Sequence, residues 1–184
     1  MQSSLRHHSV RARQSAGFTL MELMVVITII FVLMGMVLFS AKNVDNTARR
    51  SRTQTEIAAL GTALENYKID NGTYPIPASG TMPNATTDGN PSSYTTSAQL
   101  LFTALSGRSS FEVSPTPGVK FYYPFKKNQV SASTPSAAVD AWGNALGYNS
   151  VNPTYNVGFC DLWSTGNATD ISKKTQWIGN FKVD

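Results

Sequence analysis

The hydrophobic and polar positions along the chain separate an apolar first segment from a patterned remainder. Residues 18–41 form a mostly apolar run with a single charge, Glu22. As an α-helix at about 1.5 Å per residue this run is roughly 36 Å long, and the hydrocarbon core of a bilayer is about 30 Å thick. The pattern therefore predicts a membrane-spanning helix over residues 18–41.

Beyond this run the pattern becomes amphipathic and keeps the helical period. Apolar residues recur at spacings of three, four and three, which puts them on one side of a helix. We expect residues 42–71 to continue the helix and to pack this stripe against a sheet. Gly72 follows the pattern and Pro75 comes soon after, so the helix is predicted to end at Asn71. The stripe consists of Ile57, Leu60, Leu64 and Tyr67.

The rest of the chain predicts loops, one short helix and a small sheet. Residues 76–96 are rich in Pro, Ser, Thr, Gly and Asn, which is typical of a surface loop. Ser97 is the predicted N-cap of a short helix that Gly107 ends. Three aromatic, β-prone runs predict an antiparallel sheet laid on the long helix, which is an α+β fold. These runs are residues 119–125, 155–164 and 175–183.

The charges around the first segment predict its orientation. Several basic residues precede the apolar run, which by the positive-inside rule places that end in the cytoplasm and the residues after the run outside. A second group of arginines follows the run and weakens this charge signal. The first group is Arg6, Arg11 and Arg13, and the second is Arg49, Arg50 and Arg52.

The chain is poor in residues that catalyse reactions. Both histidines, His7 and His8, precede the apolar run, so a chain without its basic leader would lack the commonest general base and metal ligand. Cys160 is the only cysteine, which excludes an intrachain disulfide. Without a histidine to activate it, Cys160 is better interpreted as a small buried hydrophobic residue than as a nucleophile.

Glu22 has two interpretations that the residues alone leave open. A carboxylate in a membrane-length segment is costly, which marks it as a functional residue that needs a partner. The spacing of Thr19 and Glu22 also matches a capping box, in which the two side chains satisfy backbone N–H groups at a helix start. Both interpretations can hold, one in the single chain and the other once a partner is present.

The string "GFTLMELMVV", residues 17–26, closely resembles the cleavage and methylation signature of type IV prepilins and of the pseudopilins of type II secretion. The resemblance implies that a prepilin peptidase removes the leader, residues 1–17, by cutting between Gly17 and Phe18. It implies N-methylation of Phe18. It also implies that Glu22 pairs, during assembly, with the N-terminal amine of a neighbouring subunit's Phe18.

Three further strings resemble the major pseudopilin family of type II secretion. They are "ALENYKIDNGTYP" at 63–75, "DAWGNALGY" at 140–148 and "DLWSTG" at 161–166. The resemblance implies a pilin-like fold in which residues 72–184 form a periplasmic globular domain. It implies a structural subunit of the pseudopilus that helps to export folded proteins, and no enzyme. The alternative is a type IV pilus subunit for adhesion, motility or DNA uptake.

The same resemblance implies partners and a location. The partners are further copies in a homopolymer filament, the prepilin peptidase, an inner-membrane assembly platform, minor pseudopilins and membrane lipid, with no nucleic acid expected. The chain would cross the bacterial inner membrane once, with its C-terminal domain in the periplasm, before it enters the filament. A membrane-anchored enzyme or binding protein would explain the span, but not Gly17, Phe18 and Glu22 together.

In the resembled family a loop near the C-terminus binds calcium. This chain departs from that pattern, because Ala168 stands where the family has an aspartate. Asp170 remains in the loop and Asp161 lies just before it, so they are the candidate calcium ligands. The alternative is a loop held by hydrogen bonds.

Overall fold

A computed structural model of the chain describes residues 17–78, 81–168 and 170–182, without the side chains of 37–43. The chain forms two compact units, Met1–Val44 and Asp45–Asp184. The predicted leader, residues 1–17, lies outside the described residues except for Gly17.

The long helix α1 extends over Leu20–Asn71 and contributes to both units. Within the first unit the described side chains of α1 are exposed. Among the described residues no helix is long and apolar enough to cross a membrane. The predicted span over 18–41 includes residues 37–41, whose side chains lie outside the described set, so the span stays a prediction.

In the second unit the apolar stripe of α1 forms the centre of the core. Ile57, Leu60 and Leu64 are buried, and Tyr67 packs against their cluster, so the predicted stripe is confirmed. The helix ends where the sequence predicts. Gly72 adopts a φ of 79° and its N–H donates to the Lys68 carbonyl at 2.8 Å, which satisfies one of the last free carbonyls of the helix.

A second helix, α2, extends over Thr95–Ser106 and directly follows a 3-10 helix at Pro91–Tyr94. The prediction that Ser97 begins this helix is wrong. Ser97 lies inside α2 and its hydroxyl donates to the Tyr94 carbonyl at 2.9 Å. Asn90 caps the preceding 3-10 helix by accepting from the Ser92 N–H. The predicted end is confirmed, since Gly107 adopts the left-handed conformation with a φ of 64°.

The sheet has three antiparallel strands in the order β1, β2, β3. The strands are β1 at Gly147–Asn149, β2 at Asp161–Ser164 and β3 at Ile178–Gly179. Tyr148 pairs with Leu162, and Trp163 pairs with Gly179. Leu162 belongs to the core cluster that contains the α1 stripe, which confirms the α+β fold with a long helix on a small sheet.

Two of the predicted strands are shorter than their aromatic patterns, and one is absent. Residues 119–125 form no strand, because the N–H groups of Tyr122 and Tyr123 both donate to the Leu105 carbonyl at the end of α2. Residues 155–160 form a loop that precedes β2, and β3 occupies only two positions of 175–183. In the first run these N–H groups bind a helix end, and in the second the N–H groups of Tyr155 and Asn156 bind the Asp161 side chain, so neither set pairs with a neighbouring strand.

The segment 76–96 is more than a surface loop. Its described residues bury Met82, Ala85 and Tyr94, and the ring of Tyr94 meets that of Trp163 edge to face at 5.3 Å. Because neighbouring residues of a strand face opposite sides, Leu162 faces the α1 core while Trp163 faces a second cluster. Besides Trp163, the second cluster contains Ala85, Tyr94, Ala168 and Trp177.

Candidate functional site

The junction between Gly17 and Phe18 lies just before the first turn of α1. Phe18 is 89% exposed, and a Cβ placed on Gly17 would meet nothing within 4 Å. Neither residue lies in a helix or strand. A peptidase could therefore reach this peptide bond without unfolding any element of the described chain.

Thr19 and Glu22 form a complete capping box at the start of α1. The Thr19 N–H and the Thr19 hydroxyl both donate to Oε2 of Glu22 at 2.9 Å. In return the Glu22 N–H donates to the Thr19 hydroxyl at 3.2 Å. The capping interpretation is thus confirmed in the single chain. Pairing of Glu22 with a neighbouring Phe18 amine stays a prediction.

From Leu23 to Met36 the surface of α1 is apolar on nearly all sides. Over residues 20–36 the only uncharged polar side chain is that of Thr28, whose hydroxyl donates to the Met24 carbonyl at 2.8 Å. Continuous exposed apolar surface of this kind marks contact with a membrane or with protein. The exposed set includes Leu23, Val26, Ile30, Phe31 and Leu33.

The motif at 140–148 forms a tight turn that is tied to β2. Asp140 is 1% exposed; its Oδ1 accepts from the N–H groups of Trp142 and Asn144 at 2.8 and 2.9 Å. Its Oδ2 accepts from the Ser164 hydroxyl at 2.6 Å. This connection joins the two motifs "DAWGN" and "DLWSTG". Burial raises the pKa of Asp140, and hydrogen bonds from Ser164 and the turn oppose that rise.

The raised pKa of Asp140 predicts a pH dependence of stability. The raised pKa means that the folded chain binds the Asp140 proton more tightly than the unfolded chain does. The contribution of this carboxyl to the free energy of unfolding is therefore largest at low pH. It falls as the pH rises from about 4 through the raised pKa of the folded chain. We expect the difference in the free energy of unfolding between the wild type and Asp140→Asn to fall over that pH range in denaturant titrations.

The exposed Asp70 provides the control for this titration. The hydrogen bond from Lys120 lowers the pKa of Asp70, so its contribution to the free energy of unfolding is lost as the pH falls. Asp70→Asn should therefore show a pH trend of opposite sign. Identical trends for both variants would contradict the assignment of the raised pKa to the burial of Asp140.

The two candidate calcium ligands have other roles. Asp161 is 1% exposed, and its carboxylate accepts from the N–H groups of Thr154, Tyr155 and Asn156 at 2.6, 3.0 and 2.9 Å. These bonds close the loop before β2. Asp170 is exposed and caps the 3-10 helix at Ile171–Gln176 by accepting from the Ser172 N–H at 2.9 Å.

This arrangement does not fit a calcium site in the described residues. Calcium takes six to eight oxygen ligands, several of them from carboxylates. No group of three or more His, Cys, Asp or Glu side chains that could hold a metal ion occurs in 17–78, 81–168 and 170–182. The hydrogen-bonded loop, the alternative in the sequence analysis, describes the geometry of Asp161 and Asp170 better.

Chelation gives a direct test of the calcium ligands. We expect the midpoint of thermal unfolding to stay the same when the full chain is treated with a calcium chelator, because three backbone N–H groups already occupy the Asp161 carboxylate. Asp161→Ala should lower the midpoint in the presence and absence of calcium alike, since it removes the acceptor of three part-buried N–H groups that close the loop before β2. A midpoint that falls on chelation and recovers with added calcium would contradict this account.

Cys160 is fully buried at the start of β2, as the sequence predicts. Burial raises the pKa of Cys160 to about 12, with a further contribution from the charge of Asp161. The thiol therefore stays protonated at neutral pH and is a poor nucleophile.

Comparisons with known proteins find one family model and several curated relatives that are similar to this chain. The family described as "Prokaryotic N-terminal methylation motif" matches residues 12–38. Type II secretion system core protein G of Klebsiella michiganensis is 38% identical over 71 residues, which is 39% of this chain and 50% of that protein. The proteins of the same name from Vibrio cholerae and Escherichia coli are 36% identical over 81 residues and 42% identical over 64 residues.

These matches confirm the resemblance that the sequence predicts. The Vibrio cholerae match covers 44% of this chain and 56% of the relative, and the Escherichia coli match covers 35% and 44%. The chain thus spans about half the length of the curated relatives it matches. No solved structure matches the chain at a significant level.

Proposed function

We propose that this chain is a structural subunit of a type II secretion pseudopilus, similar in role to core protein G. One observation carries the proposal. The methylation motif matches residues 12–38, and within it the Gly17–Phe18 junction is exposed and Glu22 is held at the start of a long apolar helix. The relatives named core protein G support the same role.

The proposed sequence of events follows from where the junction lies. A prepilin peptidase cuts between Gly17 and Phe18, so the basic leader leaves while the apolar helix stays with the chain. The new α-amine of Phe18 is then N-methylated. A positively charged amine at this position is a suitable partner for the Glu22 carboxylate of a neighbouring subunit, because an ion pair offsets the cost of placing each charge in an apolar surrounding.

Residues 18–41 anchor the subunit in the inner membrane, and the second unit lies in the periplasm. Assembly brings the apolar helices of many copies together, which removes their exposed surface from lipid or water. The further partners are the inner-membrane assembly platform and the minor pseudopilins. Exposed apolar side chains from Leu20 to Met36 support both the membrane and the filament state.

We propose no catalytic role for the chain. Cys160 is a buried thiol with a raised pKa. The carboxylates of Asp140 and Asp161 accept hydrogen bonds from their own loops, and Asp140 accepts a further one from Ser164. A structural subunit needs none of these groups to react.

Deletion of the gene in its host tests this role against that of a type IV pilus subunit. Loss of folded secreted proteins from the medium, with surface motility and DNA uptake unchanged, is the expected result. Normal secretion combined with loss of motility or DNA uptake would contradict the proposal and favour the pilus. Complementation with the wild-type chain is the control for effects on neighbouring genes.

A further inference from the structure

Three arginines at the start of the second unit bind the backbone of three different loops. Each guanidinium donates from α1 to a carbonyl that lies far away in the sequence. Arg49 donates to Ala141 at 2.6 Å, Arg50 to Gln176 at 2.5 Å and Arg52 to Asn128 at 3.4 Å. The arginines that follow the apolar run thus position loops as well as carrying charge.

Two of these loops carry further cations. Gln176 ends the 3-10 helix that contains Lys173 and Lys174, and Asn128 directly follows Lys126 and Lys127. Arg50 and Arg52 therefore hold two pairs of lysines close to the first turns of α1 in the second unit. We call this group the basic collar: Arg50, Arg52, Lys126, Lys127, Lys173 and Lys174.

The collar keeps an excess of positive charge. Arg52 pairs with Glu56 at 2.7 Å, and Lys127 lies 3.6 Å from Glu112 with both side chains mostly exposed. Hydrogen bonds from Ser172 lower the pKa of Asp170, and the charge of Lys173 adds to this effect. Within the described part of the chain, two of the six collar cations thus have a carboxylate within 4 Å, and both of these pairs are at least partly exposed to water.

The collar begins soon after the proposed membrane anchor. Arg50 follows Ala41 by nine residues, which is about 14 Å of α-helix. The headgroup layer adds roughly 5 to 7 Å to each side of the hydrocarbon core. Long basic side chains reach toward the membrane surface, and charges act over a screening length of about 8 Å. With residues 18–41 taken as the anchor, the separation of nine residues along the chain is short enough for the collar to meet lipid headgroups.

We propose that the basic collar binds anionic phospholipid headgroups at the membrane surface. The inference rests on the proposed function, because it takes residues 18–41 as the anchor. An anionic bilayer fits better than a single acidic ligand, since the cations are spread over α1 and two loops. The contact would hold the second unit against the membrane until the subunit enters the filament.

Lysine acetylation in vesicles tests this contact. The full chain is reconstituted into vesicles of phosphatidylcholine alone or of phosphatidylcholine with phosphatidylglycerol. The acetylation rate of each lysine is then measured by mass spectrometry. We expect Lys173 to react roughly fivefold more slowly in the anionic vesicles, and the protection to disappear at high salt.

Lys120 is the internal control. It pairs with Asp70, twenty residues beyond Arg50 on α1 and so about 30 Å further along the helix. Its acetylation rate should be the same in both kinds of vesicle. A variant that combines Lys126→Gln with Lys127→Gln should weaken the protection of Lys173, whereas Lys120→Gln should leave that protection unchanged.

The outcomes separate this inference from the proposed function. If the chain floats with both kinds of vesicle but Lys173 reacts equally fast in each, the collar does not bind anionic lipid and the anchor stands. If the chain floats only with anionic vesicles, charge and not the apolar segment holds it on the bilayer, and the apolar anchor is contradicted. Failure to float with either kind overturns both.

Discussion

Replacing Glu22 with glutamine is expected to abolish filament formation while the chain remains membrane-bound and loses its leader. Glutamine keeps an oxygen that can accept from the Thr19 N–H and hydroxyl, so the capping box can persist. It removes the negative charge that the Phe18 amine of a neighbour would need. Electron microscopy of sheared filaments and fractionation of membranes measure the two properties separately.

Thr19→Val is the matched variant, because it removes the hydroxyl from the capping box and keeps the carboxylate. Loss of this cap costs the helix start about 1 kcal/mol, and we expect filaments to form. Glu22→Ala removes both the cap and the charge and should also abolish filaments. Filaments from Glu22→Gln together with none from Thr19→Val would contradict the pairing and leave capping as the role of Glu22.

Gly147→Ala is expected to lower the free energy of unfolding by about 3 kcal/mol or more. A Cβ on Gly147 would lie 2.1 Å from the indole ring of Trp163, which is fully buried. The indole packs between Gly147 and the ring of Tyr94. It cannot move without disturbing the second cluster. Denaturant unfolding of the full chain in detergent, followed by tryptophan fluorescence, measures the loss.

Gly61→Ala is the control for the glycine substitution itself. Gly61 lies within α1 and its added Cβ would meet nothing within 4 Å. Alanine favours the helix over glycine by about 1 kcal/mol, so this variant should be as stable as the wild type or more stable. A Gly147→Ala chain with wild-type stability would contradict the close packing of Trp163 on β1.

The sequence predicts the helical parts of this fold well because their signals are local. The stripe from Ile57 to Leu64 has the period of a helix, and glycines at 72 and 107 adopt the left-handed conformation that ends each helix. The capping box depends on residues three positions apart. These features require no knowledge of distant contacts.

The sheet was harder to predict because distant partners decide which aromatic runs form strands. Tyr122 and Tyr123 have the composition of a strand, yet their N–H groups bind the end of α2. The N–H groups of Tyr155 and Asn156 are bound by the side chain of Asp161. Here a carboxylate accepts the backbone hydrogen bonds that a neighbouring strand would otherwise accept. Such a contact produces no periodic pattern in the sequence.

The candidate sites divide in the same way. Gly17, Phe18 and Glu22 could be proposed as site residues from the sequence because their motif is contiguous. The role of Asp140 could not, because its partner Ser164 is 24 positions away. The loops that Arg49, Arg50 and Arg52 bind are even more distant, so only the fold reveals the basic collar.

Mass spectrometry of the mature N-terminus shows whether the chain is processed as a prepilin. The full chain is expressed together with a prepilin peptidase and purified from membranes, and its N-terminal peptide is sequenced. The account predicts that the chain begins at Phe18 and that its α-amine carries a methyl group. A chain that still begins with its basic leader, in the presence of an active peptidase, would contradict the account.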